Sequence, residues 1–279
     1  MKLLIDLSEH NGYADLSLAK ESIDGVIARC SWGWGRDQID KQWQNNAAQA
    51  NQLNIPLFAY HFAYARNEEE AIKEAELAIQ TCKNYKVGVI YYDMEYSTFQ
   101  GNLSNDQYYS IAKAFCDKVE AANLSVGIYA NEYWFRTKLI NEGFSKWTLW
   151  LANYGSNDGY NKWGENLPYN PFGHVLVHQF TSKAKNGILK DIRGIQSSFL
   201  DCSMDHGLID IFGLINDNSI HVGDKVMVKE NSTWYDGKTI PDFVYVTQYT
   251  VIEVIKDRVV IGIDDKITGA ISVRSLYRI

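Results

Sequence analysis

The sequence predicts an α/β fold, a closed (β/α) barrel, followed by a second, small all-β domain. Three observations indicate this. Residues 1–212 alternate short apolar segments with helical stretches and lack a glycine-rich phosphate-binding turn. Residues 220–279 consist of strand-like segments throughout. Residues 213–219 between them carry a run of polar side chains and are predicted to be a linker.

Seven apolar segments are the predicted strands of the barrel. Their nearly continuous apolar, often β-branched character is typical of parallel strands that are covered on both faces. In chain order they are Lys2–Asp6, Gly25–Arg29, Ile55–Phe62, Val87–Glu95, Ser125–Ala130, Thr148–Ala152 and Val175–Phe180. A last short run, Phe199–Leu200, ends in Asp201. Because helical stretches separate the segments, we expect a parallel sheet.

Two of the intervening helices have clear beginnings. Asn67 is a predicted N-cap, and three glutamates follow it in the first turn, where negative charge suits the helix dipole. Ser104 and Gln107 form a predicted capping box at the start of a second helix. Apolar residues recur with a period of 3.6 residues in both segments, which predicts one buried face on each helix.

The C-terminal region contains four segments with strand character. They are Val226–Val228, Tyr249–Ile255, Val259–Ile263 and Ala270–Val273. Turns are predicted at Lys256–Asp257 and Thr268–Gly269. Roughly 60 residues in about five short strands suit an SH3-like barrel.

Composition excludes several classes of partner. The net charge is −7, and the sequence has no run of Lys or Arg, which disfavours nucleic acid and anionic membranes. No apolar segment is long enough to span a bilayer, and the N-terminus lacks a secretory signal. No metal-binding spacing is found, so we expect neither metal nor cofactor, four buried reduced cysteines, and a monomer. A neutral polymer such as a polysaccharide remains possible as a partner.

The strongest local signal is a pair of carboxylates at the end of a predicted strand. Asp93 and Glu95 follow an apolar run, and side chains at i and i+2 of a strand point to the same side. Glycosidic cleavage requires one carboxyl group that keeps its proton and one that is an anion. In a (β/α) barrel the catalytic groups lie at the carboxyl ends of the strands. The alternative is a solvated strand end whose acids cap a loop or helix.

Other strand ends carry polar and aromatic side chains as well. Each of these residues taken alone is more often structural, and a lone histidine such as His61 is usually a satisfied core residue. Their coincidence at several strand ends predicts a binding rim. The residues are Asp6, Tyr60, His61, Phe62, Tyr129, Trp150, Tyr154, Gln179 and Asp201.

These motifs, in this order, resemble the family 25 glycoside hydrolases, the lysozymes of many phage endolysins and bacterial autolysins. The motifs are Asp6-x-Ser8, Tyr60-His61-Phe62, Asp93-x-Glu95, Trp150-x-Ala152-x-Tyr154, Gln179-Phe180-Thr181-Ser182 and Asp201, and they cover residues 1 to about 212. The resemblance implies an irregular barrel that hydrolyses the β-1,4 bond between N-acetylmuramic acid and N-acetylglucosamine in peptidoglycan.

The resemblance also implies roles for individual residues. Glu95 matches the general acid and Asp93 its partner carboxylate, while Asp6 and Asp201 match two further acids of the groove. Asp205 is a rival to Asp201, because the last motif departs from the family pattern there. The seven other rim residues are candidate substrate contacts: Tyr60, His61, Phe62, Tyr129, Trp150, Tyr154 and Gln179.

The tail resembles the SH3-like cell-wall-binding domains of endolysins. Candidate wall contacts are Trp234, Tyr235, Phe243 and Tyr245, and we expect core packing for at least half of the tail's aromatic residues. The resemblance implies an enzyme that is made in the host cytoplasm without a signal peptide and acts on the Gram-positive wall after membrane breach. Two alternatives are a chitinase-like N-acetylglucosaminidase and a non-catalytic wall-binding protein.

Overall fold

The computed structural model describes residues 2–163, 166–213, 220, 222–229, 232–255, 258–264 and 266–278. The chain divides into two compact units, Met1–Asn216 and Asp217–Ile279. Apart from Gly213, the predicted linker at 213–219 lies outside the described residues, as does the turn predicted at Lys256–Asp257.

The first unit is an eight-stranded closed barrel whose strands follow one another in chain order. The strands are β1 (Leu3–Leu7), β2 (Gly25–Trp32), β3 (Leu57–Phe62), β4 (Ile90–Asp93), β5 (Val126–Asn131), β6 (Thr148–Ala152), β7 (Val175–Thr181) and β8 (Asp201–Asp205). From β1 to β7, each strand is parallel to the next one in the chain. The predicted α/β class and the seven predicted apolar strands are confirmed.

The eighth strand differs from the prediction. β8 begins at Asp201 instead of ending there, and it runs antiparallel to both β7 and β1. Between β7 and β8 the chain forms loops and one short 3-10 helix, Ala184–Asn186. A parallel strand would require a long crossover, usually a helix, to return the chain to the opposite end of the barrel, and this segment has no such helix. An antiparallel strand places its first residue at the end where the parallel strands finish. Asp201 therefore still reaches the predicted rim.

Six α-helices lie in the described part of the first unit. They are α1 (Leu16–Ala19), α2 (Trp43–Gln52), α3 (Glu68–Cys82), α4 (Ser97–Gln100), α5 (Asn105–Ala121) and α6 (Glu132–Thr137). Both predicted helix starts are confirmed: the Asn67 side chain accepts from the Glu70 amide, and Ser104 with Gln107 completes a capping box.

Two apolar clusters stabilise this unit. One fills the space between the strands and the helices, and all four cysteines are buried there, as expected. The other fills the barrel interior and is rich in rings, with Phe58, Tyr91, Tyr129 and Trp150 among its members. Bulky interior side chains make the barrel a packed core with a floor for the rim above it.

The second unit is a five-stranded antiparallel sheet with the order β12-β11-β10-β9-β13. Its strands are β9 (Lys225–Val228), β10 (Tyr249–Ile255), β11 (Arg258–Ile263), β12 (Lys266–Ser272) and β13 (Leu276–Arg278), and its helix is α7 (Asp242–Tyr245). It has its own apolar core, which includes Val226, Tyr249 and Ile261. The predicted small all-β domain is confirmed in its class.

The turn predicted at Thr268–Gly269 is wrong, because both residues lie inside β12. Ile261 pairs with Gly269 and Gly262 pairs with Ile267, so Thr268 is the extra residue of a β-bulge. Glycine is required at 269 for a packing reason: a Cβ atom there would lie 2.4 Å from Cζ3 of the Trp234 ring. In the part of the chain that the structure describes, no helix is long and apolar enough to cross a membrane.

Candidate active site

Four carboxylates converge at the end of the barrel where the parallel strands finish. Asp6 lies in β1, Asp93 is the last residue of β4, and Glu95 follows two residues later. Asp201 opens β8 directly opposite Asp6 in the sheet register. The four acids are close enough that Asp6 interacts electrostatically with Asp201 and Glu95, and Asp93 with Glu95 and Asp6.

Asp93 is the most buried of these acids, with 4% of its surface exposed. Burial, reinforced by the Glu95 and Asp6 carboxylates, raises the pKa of Asp93 well above its usual range, while Arg29 opposes the rise. Its Oδ1 atom has no hydrogen-bond partner among the described residues. A buried carboxylate oxygen without a partner is costly unless a ligand supplies a donor.

Glu95 lies at the groove surface and is partly buried. Burial and then the charge of Asp201 raise the pKa of Glu95, while the neighbouring Asn131 and Tyr129 side chains oppose the rise. Burial raises the pKa of Asp201 to about 6. A carboxyl group with a raised pKa keeps its proton closer to neutral pH, which is what a general acid requires.

Arg29 is a residue of the site that the sequence analysis missed. Its guanidinium is largely buried, donates from Nε to Asp40 at 2.8 Å and from NH2 to Glu9 at 2.9 Å, and lies 4.9 Å from the centre of the Trp32 ring. Arg29 lowers the pKa of both Asp6 and Asp93 against the effect of burial. The signal in the sequence was a single arginine inside the apolar strand Gly25–Trp32.

Comparison with known proteins agrees with this geometry. The model of the family described as "Glycosyl hydrolases family 25" matches residues 5–187, which is more than half of the chain. The chain belongs to glycosyl hydrolase family 25. It is therefore a glycoside hydrolase.

Solved structures give matching folds. The modular autolysin LytC from Streptococcus pneumoniae is 26% identical with a TM-score of 0.59, covering 72% of this chain and 46% of that one. The catalytic domain of endolysin ply40 from bacteriophage P40 of Listeria monocytogenes is 21% identical with a TM-score of 0.61, covering 75% of this chain and 96% of that one.

The spore cortex lytic enzyme SleM of Clostridium perfringens is 17% identical with a TM-score of 0.65, covering all of this chain and 86% of that one. Because their sequence identities to this chain are low, ply40 and SleM show a similarity of fold alone. This chain spans less than half the length of the LytC chain. A search of curated proteins finds no significant match.

Within the family 25 barrel, the structure separates the two candidates for the last groove acid. Asp205 ends the antiparallel strand β8, so it lies at the opposite end of the barrel from Asp201. Its Oδ1 accepts from the Gly207 and Ile209 amides, which fixes a loop. Asp201 is the acid that faces Asp6.

His61 was predicted to contact substrate, and this prediction is wrong. Its ring is fully buried between the barrel and the helices, with Nδ1 2.8 Å from the Ser31 hydroxyl and Nε2 3.8 Å from the Glu74 carboxylate of α3. Side chains alternate along β3, so Tyr60 and Phe62 face the groove while His61 faces outward.

Trp150 is wrong as a direct contact, because only 1% of its surface is exposed. The indole lies beneath the acids among the rings of Tyr60, Tyr91 and Tyr129, and its Nε1 donates to the Ser203 hydroxyl at 3.1 Å. It supports the groove floor instead of stacking on a sugar.

Gln179 and Tyr129 are buried as well, but both reach the acids. The Gln179 amide donates from Nε2 to Asp6 Oδ2 at 3.0 Å. Its Oε1 accepts from the hydroxyls of Tyr129 and Tyr154, each at 2.9 Å. The Tyr60 side chain lies beside Asp6 and lowers the pKa of that carboxyl group against the effect of burial.

A group of aromatic rings beside Glu95, here called the aromatic wall, was also missed by the sequence analysis. Phe62 packs against Tyr64 and Tyr96, and Tyr64 stacks on Phe99 with ring centres 4.5 Å apart. All four rings are partly exposed. Their positions just beyond β3 and β4 were the available signal, since loops at this end of a barrel carry its binding residues.

The wall-contact candidates of the second unit divide into two pairs. Tyr235 and Phe243 are exposed, at 50% and 64% of their surface. Trp234 packs against the apolar core, and Tyr245 does so while its hydroxyl donates to the Ser232 carbonyl at 3.0 Å. Only the first pair is free to contact a ligand through most of its ring.

Across the residues with described positions, no group of three or more His, Cys, Asp or Glu side chains is arranged to hold a metal ion.

Proposed function

We propose that this family 25 hydrolase is an endolysin-like muramidase that cleaves the β-1,4 bond between N-acetylmuramic acid and N-acetylglucosamine in peptidoglycan. One observation carries the proposal: a carboxyl group with a raised pKa, Glu95, faces the groove beside a buried carboxylate, Asp93, that has an oxygen without a partner. The likeness to LytC, whose structure was solved with a synthetic peptidoglycan ligand, supports this substrate class.

Glu95 is the proposed proton donor. It transfers its proton to the glycosidic oxygen, and the leaving sugar departs as an alcohol while positive charge develops at the anomeric carbon. Asp201, whose pKa of about 6 leaves it ionised at neutral pH, stabilises that charge. Glu95, now an anion, then takes a proton from the attacking water.

Asp93 is proposed to bind the substrate's 2-acetamido group. The acetamido N–H would donate to Oδ1, the atom that lacks a partner, and this would orient the acetamido carbonyl oxygen toward the anomeric carbon. A bond between that oxygen and the anomeric carbon replaces the breaking glycosidic bond, and water later opens the ring that has formed. The substrate-assisted route needs an acceptor that holds the acetamido N–H in place. The buried position of Asp93 Oδ1 supports this route because it fixes such an acceptor.

Sugar rings have aromatic surfaces to lie against along this groove. Tyr60 and Phe62 face it from β3, and Tyr64, Tyr96 and Phe99 extend the aromatic surface next to Glu95. Flat rings with polar edges suit the apolar faces and hydroxyl groups of sugars. The remaining predicted contact, Tyr154, is partly exposed and faces the groove through its hydroxyl.

The second unit is proposed to anchor the enzyme to the Gram-positive wall as an SH3-like module. Its exposed Tyr235 and Phe243 are the proposed contacts. Tethering a catalytic domain to its substrate raises the local concentration of cleavable bonds. The same proposal includes a phage origin for the enzyme and its action on the cell wall after the host membrane has been breached.

Mass analysis of digested peptidoglycan tests the bond specificity. We expect new reducing ends on N-acetylmuramic acid only, and no comparable release from chitin. Reducing ends on N-acetylglucosamine, or faster hydrolysis of chitin, would show a chitinase-like glycosidase instead. A chain that binds walls and releases no reducing ends would be a non-catalytic binder.

A further inference from the structure

Phe199 leaves a large apolar ring in solvent next to the acid cluster. It is 65% exposed and lies two residues before Asp201, while Leu200 between them is fully buried in the cluster of strands and helices. The Leu200 amide donates to the Ser182 carbonyl at 3.2 Å, and its carbonyl accepts from the Ala184 amide at 3.0 Å. This residue therefore continues the strand direction of β8. Because side chains alternate along an extended chain, Phe199 lies on the same side as Asp201, toward the groove.

The position of this ring is opposite to the aromatic wall. Three strands separate β4 from β8 in either direction around the closed barrel, so the two strands lie on opposite sides of it. Phe62, Tyr64, Tyr96 and Phe99 follow β3 and β4, whereas Phe199 precedes β8. The acid cluster therefore has the aromatic wall on one side and Phe199 on the other.

The backbone that carries the ring is fixed at both of its polar groups. The Phe199 carbonyl accepts from Nδ2 of Asn11 at 3.3 Å, and its amide donates to Oγ of Ser197 at 3.1 Å. The Ser197 amide donates to the Asn11 carbonyl at 3.2 Å. Asn11 itself accepts through Oδ1 from the Ser8 amide at 2.8 Å, in the loop that follows Asp6. These bonds join the segment before β8 to the loop after β1.

Lys185 holds the same segment from the other direction. Its Nζ donates to the carbonyls of Ile195 and Ser197, each at 2.8 Å. Hydrogen bonds from a charged donor are stronger than those between neutral groups. A ring on a backbone fixed in this way loses little further freedom when a ligand binds, so the cost of ordering is already met in the folded protein.

The chemistry around Phe199 selects the ligand. The ring has no charge and lies beside four carboxyl groups, which disfavour an anionic ligand. A flat ring suits the apolar C–H face of a sugar. Since the acids act at a glycosidic bond, the sugars next to that bond are the ligand groups that come within reach of a ring beside Asp201.

We propose that Phe199 is a second sugar-binding platform, which contacts the C–H face of a sugar beside the scissile bond, and that Lys185 positions it. The glycan strand then contacts aromatic surfaces on both sides of the acids. This inference rests on the proposed function, because it takes the groove to bind peptidoglycan glycan.

Binding of a soluble tetrasaccharide of alternating N-acetylglucosamine and N-acetylmuramic acid, without stem peptides, tests the platform. Calorimetric titration uses the full chain with Glu95→Gln, which prevents cleavage. We expect Phe199→Ala to weaken binding roughly two- to ten-fold, as for the loss of one aromatic contact. Phe199→Tyr should restore the affinity. Phe199→Leu should not restore it, because Leu is apolar but has no flat ring.

Ile140→Ala, at an exposed apolar site beyond α6, is the control and should leave the affinity unchanged. In chains that retain Glu95, Phe199→Ala should raise KM by a similar factor and leave kcat near the wild-type value, since the ring does not touch the reacting atoms. Unchanged affinity in Phe199→Ala, or full affinity in Phe199→Leu, would overturn the inference.

A double-mutant cycle tests the role of Lys185. Lys185→Met keeps the alkyl stem and removes both hydrogen bonds, so tetrasaccharide affinity should fall, and Lys185→Arg should retain most of it. In the Phe199→Ala background, Lys185→Met should weaken binding little further, because the platform is already absent. Additive losses would contradict the positioning role, since a merely structural effect of Lys185 would not depend on Phe199.

The binding results and the proposed function can fail separately. The titrations need no turnover, so a wild-type chain that releases no reducing ends would refute the proposed function while weaker binding in Phe199→Ala still supported the platform. An active chain whose tetrasaccharide affinity and KM are insensitive to Phe199→Ala would overturn this inference alone. If Phe199→Ala does not fold, the comparison of Phe199→Tyr with Phe199→Leu decides in its place.

Discussion

At the residue scale, the groove contains four carboxyl groups that cannot all be ionised at once. Burial raises the pKa of Asp93, and the pKa of Asp6 rises for the same reason and through the charge of Asp201. Arg29 and the Gln179 amide favour the anions of particular acids, whereas Glu95 has no comparable cation among the causes of its shift. Such differences in surroundings allow one acid to keep a proton while its neighbour stays charged.

Glu95→Gln should remove nearly all hydrolysis, by about 10²- to 10⁴-fold, because an amide cannot supply the proton. The fold should be unaffected, since Gln retains the shape of Glu. Loss of turbidity in a wall suspension and circular dichroism measure the two effects. Near-normal lysis by this variant would refute the role of Glu95 as general acid.

Stability should fall with rising pH because of Asp201. Its folded pKa of about 6 lies above the ordinary aspartate value, so the folded state binds more protons than the unfolded state between about pH 4 and pH 6. The stability due to the protonated form is complete below about pH 4 and is lost as pH rises through 6.

Thermal or denaturant unfolding of Asp201→Asn against wild type tests this. The quantity to compare is the free energy of unfolding of the variant minus that of the wild type. This difference should be larger at pH 7 than at pH 4 by up to about 3 kcal/mol, because Asn cannot ionise. A difference between the two proteins that does not vary with pH would contradict the raised pKa. Asp37→Asn, at an exposed site, provides the comparison.

At the element scale, a buried carboxylate on α3 holds the loop that carries part of the aromatic wall. Glu74 is fully buried and accepts from the backbone amides of Tyr64 and Ala65 and from the Tyr92 hydroxyl. Gln100, at the end of α4, donates to the Ala65 carbonyl at 2.8 Å. The helix layer thereby sets the position of the rings beside Glu95.

Glu74→Ala should destabilise the protein by about 3 kcal/mol or more, because it leaves buried donors without a partner. It should also weaken substrate binding more than turnover, since the loop with Tyr64 is released while the acids stay. Thermal unfolding and a separation of KM from kcat measure both effects. Glu69→Ala, on the exposed face of the same helix, should change neither by much, and equal effects of the two variants would argue against the loop's dependence on Glu74.

At the scale of the whole molecule, the chain joins a catalytic barrel to a unit with a separate core. The exposed rings Tyr235 and Phe243 belong to the second unit, whereas the acid cluster belongs to the first. Binding to walls and hydrolysis of soluble fragments should therefore respond to different substitutions.

Replacing Tyr235 and Phe243 together by Ala should reduce co-sedimentation of the full chain with Gram-positive walls, by roughly ten-fold or more if the rings are binding hot spots. Hydrolysis of soluble glycan fragments should stay at the wild-type rate. Ile255→Ala, at another exposed apolar site, is the control. Undiminished sedimentation of the double variant across wall types would refute the anchoring role of these rings.

The sequence by itself determined the fold class, the order of the seven parallel strands and the two capped helices, because periodicity and capping are local properties. It also placed Asp6, Asp93 and Glu95 near one rim, since carboxyl ends of parallel strands share an edge. Only the tertiary structure decided between Asp201 and Asp205, because the direction of β8 depends on how the chain closes the barrel.

The face of each side chain was likewise a tertiary decision. His61 lies in β3 and Trp150 in β6, yet His61 faces the helix layer and Trp150 faces the packed interior. Arg29 entered the site because Asp40 and Glu9, distant from it in sequence, hold its guanidinium there. Contacts between segments far apart in the chain leave no local pattern to read, and they determine which polar residues meet in the groove.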